Sequence, residues 1–171
     1  LPNGLRVVLL PQTTVPTFDA RLVFRAGTAD EPPALRGVAT IAAHALTWDL
    51  RYRDDLFAFA SAGGLTSTDL DTDRTTFAVQ GIDTQLDVVL AGLRRWVLEG
   101  TYDDSALDLM AALHRAAKRV DDQGPLTDAW RAALFGADHP YVRAGIARHA
   151  SRRLSISAAA QFRNAHYTPD N

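Results

Sequence analysis

The chain has 171 residues, 47% of them hydrophobic, and its formal net charge is -2. This is enough apolar material for one well-packed domain, and no charge-rich or low-complexity stretch indicates disorder. The 18 basic residues are scattered along the chain, which excludes nucleic acid and acidic membrane surfaces as partners. No apolar run reaches the roughly 18 residues needed to span a membrane.

The first half of the chain predicts two pairs of strands with helices between them. The strands are rich in valine, leucine, phenylalanine and threonine, and turn-prone residues separate them. The central helix is indicated by apolar residues at i, i+3, i+4, i+7 and i+8, which form one stripe on its surface. In chain order the predicted elements are strands at Leu5–Leu10 and Phe18–Phe24, helices at Gly37–Trp48 and about Asp54–Ser61, and strands at Leu65–Asp69 and Thr75–Ile82.

The second half is predicted to be mostly helical. The predicted elements are helices at Thr84–Leu98, from Asp103 or Asp104 to about Val120, at Leu126–Phe135 and at Ser155–His166, a loop at Asp138–Tyr141 and an extended end at Tyr167–Asn171. This order predicts a single α+β domain over 1–171, with one sheet under a layer of helices. From strand and helix periodicity, the predicted core includes Val7, Leu9, Val23, Val38, Ile41, Ala42, Ala45, Leu86, Val89, Leu90 and Leu93.

The chain begins at Leu1 rather than at Met and leads directly into an apolar segment. We therefore expect it to be excised from a longer chain whose true N-terminus, with any signal peptide, lies upstream. Because the sequence has no cysteine, it is compatible with either redox compartment. A periplasmic or exported location and a cytoplasmic one both stay open.

Several short motifs, in order along the whole chain, resemble the pitrilysin/insulinase family of zinc peptidases, which includes mitochondrial processing peptidase. Each motif is weak alone, but their order and spacing agree. They are Leu1–Val8, Gly27–Glu31 followed by Gly37–Ala39, Gly63–Thr68 with Thr75–Phe77, Asp138–Tyr141, and Tyr167–Asn171. The resemblance implies a metallohydrolase-like fold, in which one mixed, mainly antiparallel sheet is covered by helices. It also implies further homologous domains, in this chain or in another.

In active members of the family a helix carries His-x-x-Glu-His, which supplies two zinc ligands and the general base. The matching five positions here are Thr40, Ile41, Ala42, Ala43 and His44. The first ligand is thus replaced by Thr40 and the base by Ala43, and only His44 remains. Catalytic zinc needs about three protein ligands and a base for its water, so the resemblance implies a degenerate motif with no catalytic residue.

The family's third ligand is a glutamate on a later helix, and the match of Tyr102-Asp103 to the start of that helix assigns it to about Ala117. The chain contains only two glutamates, Glu31 and Glu99. Neither can take the place of a ligand or of the base without abandoning the register. We expect the chain to bind no cofactor, although active relatives bind zinc.

The histidines leave a second interpretation open. His44 and His114 could bind a metal together, because His114 lies three residues before Ala117 and so on nearly the same helical face. The simpler interpretation is a half-buried His44 that is hydrogen-bonded within the protein. His139 and His166 are expected to have structural roles, and His149 to face solvent. The Gly63-Gly64 pair is expected to end a helix rather than to bind phosphate.

The sequence therefore predicts a non-catalytic homologue of a zinc metalloendopeptidase. We expect it to act as a scaffold or peptide-holding subunit that pairs with a homologous peptidase-family domain or subunit. The alternative is an active zinc metallopeptidase with a shifted or partner-supplied site. A binding module with no connection to peptides is a third possibility, because fold does not imply function.

Overall fold

The elements follow one another as strand, helix, strand pair and a series of helices. The computed structural model describes residues 1–12, 14–46, 59–60, 63–100, 102, 124–143 and 154–171. The strands are β1 Thr17–Phe24, β2 Leu65–Leu70 and β3 Thr75–Ile82. The helices are α1 Val38–His44, α2 Leu86–Arg94, α3 Gly124–Phe135, α4 Pro140–Arg143 and α5 Ile156–His166. Short 3-10 turns lie at Thr28–Asp30, Pro33–Leu35 and Asp83–Gln85, and a π-helical turn at Arg95–Glu99 extends α2.

The sheet has the order β1-β3-β2, and both strand pairs in the described part of the chain are antiparallel. Along β1, exposed residues alternate with more buried ones, as expected for a strand with one face toward the core. β3 is the central strand, and Phe77 at its middle is fully buried. The predicted strands at Phe18–Phe24, Leu65–Asp69 and Thr75–Ile82 are thus confirmed.

The core lies between this sheet and the helices. An aromatic group joins the two layers, since the ring of Tyr167, just after α5, stacks on Phe24 of β1 at a centroid distance of 4.7 Å. The Tyr167 hydroxyl donates to Thr75 Oγ1 at 3.3 Å. The Thr75 hydroxyl in turn donates to the carbonyl of Ala26 at 2.7 Å. Burial raises the pKa of Tyr167 to about 12. These two buried hydroxyls are therefore satisfied within the protein, and the predicted α+β layering is confirmed.

The helix predictions are largely confirmed. α1, α2, α3 and α5 begin within three residues of their predicted starts, and Ser155 caps α5 by accepting from the N–H of Ala158 at 3.1 Å. Gly63, with φ of 87°, and Gly64 donate to the carbonyls of Ala60 and Phe59 at 3.0 Å. This pattern of two bonds ends a helix, as expected for the glycine pair.

Three predictions are wrong. The segment Leu5–Leu10 is not a strand, and its predicted core residues Val7 and Leu9 are 55% and 82% exposed, because no strand in the described part of the chain pairs with it. Val23 and Leu90 are also exposed, since their periodicity turns them to the outer faces of β1 and α2. The predicted loop at Asp138–Tyr141 contains the start of α4. The other predicted core residues are buried, except for Leu86, which is half-buried.

Other predictions fall outside the described residues. They are the end of the first helix at Trp48, most of the helix at Asp54–Ser61, the helix from Asp103 or Asp104 to Val120 with His114 and Ala117, and His149. Among the described helices, none is long and apolar enough to cross a bilayer.

Candidate functional site

The candidate site is α1, the helix that carries the positions matched to the family's metal motif. It begins directly after Gly37, whose φ of 91° lies in the left-handed region that favours glycine. The carboxylate of Glu31 lies at this helix end and accepts from the N–H of Gly37 and of Ala39, both at 2.9 Å. A negative charge here satisfies backbone donors that the first helical turn cannot pair. Glu31 therefore fixes the start of α1.

The buried environment of Glu31 disfavours the charged form of its carboxyl. Burial raises the pKa of this carboxyl, against the smaller effects of the two backbone hydrogen bonds and of Arg36. The proton is thus held more tightly in the folded protein than in the unfolded chain.

The other end of α1 is held by two side chains from later in the chain. Trp96 Nε1 donates to the carbonyl of Leu46 at 2.8 Å, and the Tyr102 hydroxyl donates to the carbonyl of Ala42 at 3.1 Å. The guanidinium of Arg163 lies over the Tyr102 ring, 5.3 Å from its centroid, and burial raises the pKa of Tyr102. Helix α1 also packs against β2 and α5. It is therefore fixed at both ends and along its side.

The helical backbone aligns Thr40, Ala43 and His44, because residues at i, i+3 and i+4 share one face. Thr40 and His44 are half-buried, and Ala43 is fully buried. The predicted motif register is thus compatible with the geometry of α1. The face offers one imidazole, one hydroxyl and one methyl group.

These residues do not fit a catalytic zinc ion. Such a site needs about three ligands and a base, whereas the Ala43 methyl has no lone pair and a neutral threonine hydroxyl is a poor zinc ligand. In the described part of the chain, no three His, Asp or Glu side chains are grouped so that they could hold a metal ion. The predicted pair of His44 and His114 is not tested, because His114 lies outside the described residues.

The two described histidines outside α1, His139 and His166, make local contacts. The His139 ring stacks on Phe135 at 5.1 Å, and its Nδ1 accepts from the N–H of Tyr141 at 3.2 Å. The ring of His166, at the end of α5, lies 4.4 Å from that of Phe162. These contacts join neighbouring elements, as expected of structural side chains.

Beside α1, the outer edge of β2 offers backbone groups for pairing. No described strand pairs with β2 on the side away from β3. The N–H of Asp71 donates to the carbonyl of Arg74 at 2.9 Å and closes the hairpin. Since bonded and non-bonded pairs alternate along an antiparallel ladder, every second residue before Asp71 bonds to β3. The N–H and C=O groups of Thr66 and Thr68 therefore point to the open edge.

Two of these features were missed by sequence reasoning. The sequence suggests only two roles for Glu31, a zinc ligand or the general base, because its separation from Gly37 matches no local capping motif. The open edge of β2 depends on the strand order, which the composition of a strand does not encode. The Gly63-Gly64 turn before β2 was the only sequence signal near this edge.

Comparison with known proteins gives a structural likeness. No protein-family model matches the chain, and no curated protein matches it significantly. The peptidase M16 inactive domain from Pseudomonas fluorescens has a TM-score of 0.82 at 19% identity, over 94% of this chain and 41% of that one. A protease from Helicobacter pylori has a TM-score of 0.72 at 17% identity, over 100% of this chain and 43% of that one. A protein described as an M16-like peptidase from Alicyclobacillus acidocaldarius has a TM-score of 0.79 at 22% identity, over 100% of this chain and 43% of that one.

The chain thus has the fold of M16 peptidase-like proteins, which agrees with the pitrilysin-type resemblance of its sequence. It spans only 41% to 43% of the length of these solved chains. At these identities the likeness shows the fold and not the activity.

Proposed function

We propose that the chain is a non-catalytic homologue of a zinc metalloendopeptidase, and that it holds peptides and pairs with another domain of the same fold. The observation that carries the proposal is Ala43. Its buried methyl group stands where the resemblance assigns the general base, in a helix that is otherwise well fixed. A peptide bond is not cleaved by a metal-activated water without a base to take its proton.

Support for peptide binding comes from the edge of β2. An extended peptide can add a strand to an open sheet edge, where its backbone supplies affinity for many sequences. Thr66 and Thr68 turn their backbone groups toward this edge, and Leu65, Thr66 and Ser67 are exposed. The edge also lies beside α1, since α1 packs against β2. A bound peptide would therefore lie next to the degenerate motif without being cut.

Support for pairing comes from the solved structures. This chain covers 41% of the Pseudomonas fluorescens chain, which is itself described as an inactive domain. The remainder of such a chain is long enough for a second domain of similar size. We therefore propose a homologous domain or subunit as the partner.

The proposal is tested on the complete protein with a fluorescent, unfolded peptide. We expect saturable binding and no cleavage, with or without a chelator. The variant Thr66→Pro should weaken binding by about tenfold or more, because it removes an N–H from the open edge. It leaves the bonds between β2 and β3 intact, and proline is tolerated at an edge strand. The matched control Thr66→Val keeps the N–H and the side-chain shape, and it should bind as the wild type does.

Three other outcomes of these experiments would contradict parts of the proposal. Chelator-sensitive cleavage would favour an active peptidase with a shifted or partner-supplied site. If both Thr66 variants bound the peptide equally well, the binding site would have to lie elsewhere than at the edge of β2. If the complete protein purified without a partner and bound no peptide, both the scaffold role and the peptide-holding role would be refuted.

A further inference from the structure

Helix α3 carries a row of large apolar side chains that are exposed. Leu126, Trp130 and Leu134 follow one another at intervals of four residues, so they lie on one face of the helix. They are 77%, 63% and 58% exposed. We call this row the α3 stripe. Single exposed apolar residues are common on protein surfaces, whereas a continuous apolar patch marks an interaction site.

The α3 stripe faces away from the rest of the domain. At 3.6 residues per turn, the half-buried residues Asp128, Arg131 and Ala132 lie on the opposite side of the helix. Phe135 lies on that side as well, and its ring stacks on His139 at 5.1 Å. One side of α3 therefore contacts the domain, and the stripe points outward.

Helix α3 is the least buried of the longer helices in the described part of the chain. None of residues 126–135 is buried, whereas α1, α2 and α5 each bury at least two residues. A helix of 12 residues is only marginally stable by itself in water, because most helical stability comes from the packing of an apolar face. A partner that covers the α3 stripe supplies this packing.

The end of the sequence is connected to the end of α3 by a short series of contacts. The N–H of Arg25, just after β1, donates to the carbonyl of Asn171 at 3.3 Å. The loop after β1 is hydrogen-bonded to the turn between β2 and β3, and in this turn Asp73 Oδ2 accepts from the Tyr141 hydroxyl at 2.8 Å. The Tyr141 ring lies 5.3 Å from that of Phe135. A polypeptide that continues from Asn171 therefore reaches α3 through a linker of roughly ten residues.

We propose that the α3 stripe is the docking surface for a second domain of the same fold, carried by the same polypeptide after Asn171. This inference rests on the pairing part of the proposed function and adds the surface at which the domains meet. The solved chains of this fold, of which this chain covers at most 43%, have room for such a domain. Trp130 is the anchor of the contact, because tryptophan is enriched at the centres of interfaces.

The first test is hydroxyl-radical footprinting of the complete protein, in which mass spectrometry measures the accessibility of each side chain. We expect Trp130 to be oxidised as slowly as Trp96, which is buried in the core. On an uncovered stripe, Trp130 would be oxidised faster than Trp96 in the ratio of their exposed fractions, 63% to 4%. A photoreactive benzophenone amino acid in place of Trp130 should cross-link to residues after 171, which identifies the partner.

A matched pair of variants tests whether the stripe holds the partner. Trp130→Glu places a charge in the middle of the stripe, and an unpaired charge is not tolerated in an apolar contact. It should raise the oxidation of Leu126 and Leu134 by about fivefold or more. The control Ala129→Glu adds the same side chain at an exposed position about 100° round the helix, and it should leave both leucines protected. Slow oxidation of Trp96 in both variants shows that the core is intact.

Several results would overturn this inference and leave the proposed pairing standing. They are fast oxidation of Trp130 in a complete protein whose two domains are packed together by small-angle scattering, protected leucines in Trp130→Glu, and cross-links from position 130 that stay within residues 1–171. Protection that depends on protein concentration would assign the cover to a second copy instead. Scattering that shows separate domains, or a mature protein without a second domain, would refute the pairing of domains within one chain as well.

Discussion

Replacement of Glu31 by alanine tests how α1 is fixed. The carboxylate of Glu31 accepts two backbone hydrogen bonds of 2.9 Å at the start of the helix, from Gly37 and Ala39. Both of these residues are buried, so water cannot easily replace the lost acceptor. The variant therefore leaves two donors without a partner at the end of the helix that carries the motif.

The size of the effect follows from these two bonds. Hydrogen bonds to a charged group contribute about 1.5–3 kcal/mol each. Against this stands the cost of burying the carboxylate, which is the largest cause of its raised pKa. We expect a net loss of about 2 kcal/mol in the free energy of unfolding for Glu31→Ala. In a domain of this size such a loss lowers Tm by about 4–8 °C.

Urea unfolding at pH 7, followed by circular dichroism, measures the loss. The matched control is Glu99→Ala, since Glu99 is the only other glutamate and forms an exposed ion pair with Arg94 at 3.2 Å. Exposed pairs contribute at most about 1 kcal/mol, so this control should stay close to the wild type. If Glu31→Ala were as stable as Glu99→Ala, the two backbone hydrogen bonds would not hold the helix.

Other predictions concern pH, the core and repair of the motif. Because the folded-state pKa of Glu31 is raised above 4.5, the proton-linked part of its contribution to stability is fully present below that value and is lost as pH rises through the raised pKa. The stability of the wild type relative to Glu31→Gln, which does not titrate, should therefore fall with rising pH in urea titrations. Trp96→Phe removes the hydrogen bond to the buried carbonyl of Leu46 and should cost about 1–3 kcal/mol in urea unfolding. The triple variant Thr40→His/Ala43→Glu/Ala117→Glu should bind zinc with micromolar or tighter affinity by calorimetry, whereas Ala43→Glu alone should not. Overpacking should cost the triple variant about 1–3 kcal/mol of stability, and a folded triple variant without zinc affinity would refute the assignment of Ala117.

The fold could be predicted where periodicity and burial agree. The apolar stripe of α1 identifies both the element and its buried face, whereas the composition of β1 identifies the element only. The Leu5–Leu10 segment has the composition of a strand, but a strand also needs a neighbour, and composition does not say which segment supplies it. Val23 shows the same limit on a smaller scale, because a β-branched residue suits either face of a strand.

The candidate site could be predicted only as a set of positions. The match to the family's motif assigned Thr40, Ala43 and His44 to positions i, i+3 and i+4 of one helix, and the helical backbone aligns these positions on one face. The groups that hold the helix are separated from it in sequence. Trp96 lies 50 residues after the carbonyl that it binds, and Tyr102 lies 60 residues after its own partner. Such pairings depend on tertiary structure, and no local pattern encodes them.

The contacts that hold α1 do not depend on the side chains at the positions matched to the metal motif. The bonds from Glu31, Trp96 and Tyr102 all end on backbone atoms of the helix and its flanking residues. None of them uses the side chain of a motif position. In proteins whose folding depends on a metal, loss of the ligands removes folding free energy. Here we expect substitution at Thr40 or Ala43 to leave these backbone contacts in place, because they do not use either side chain. The helix and the edge of β2 beside it therefore keep their geometry, which is what a domain that holds a peptide without cleaving it requires.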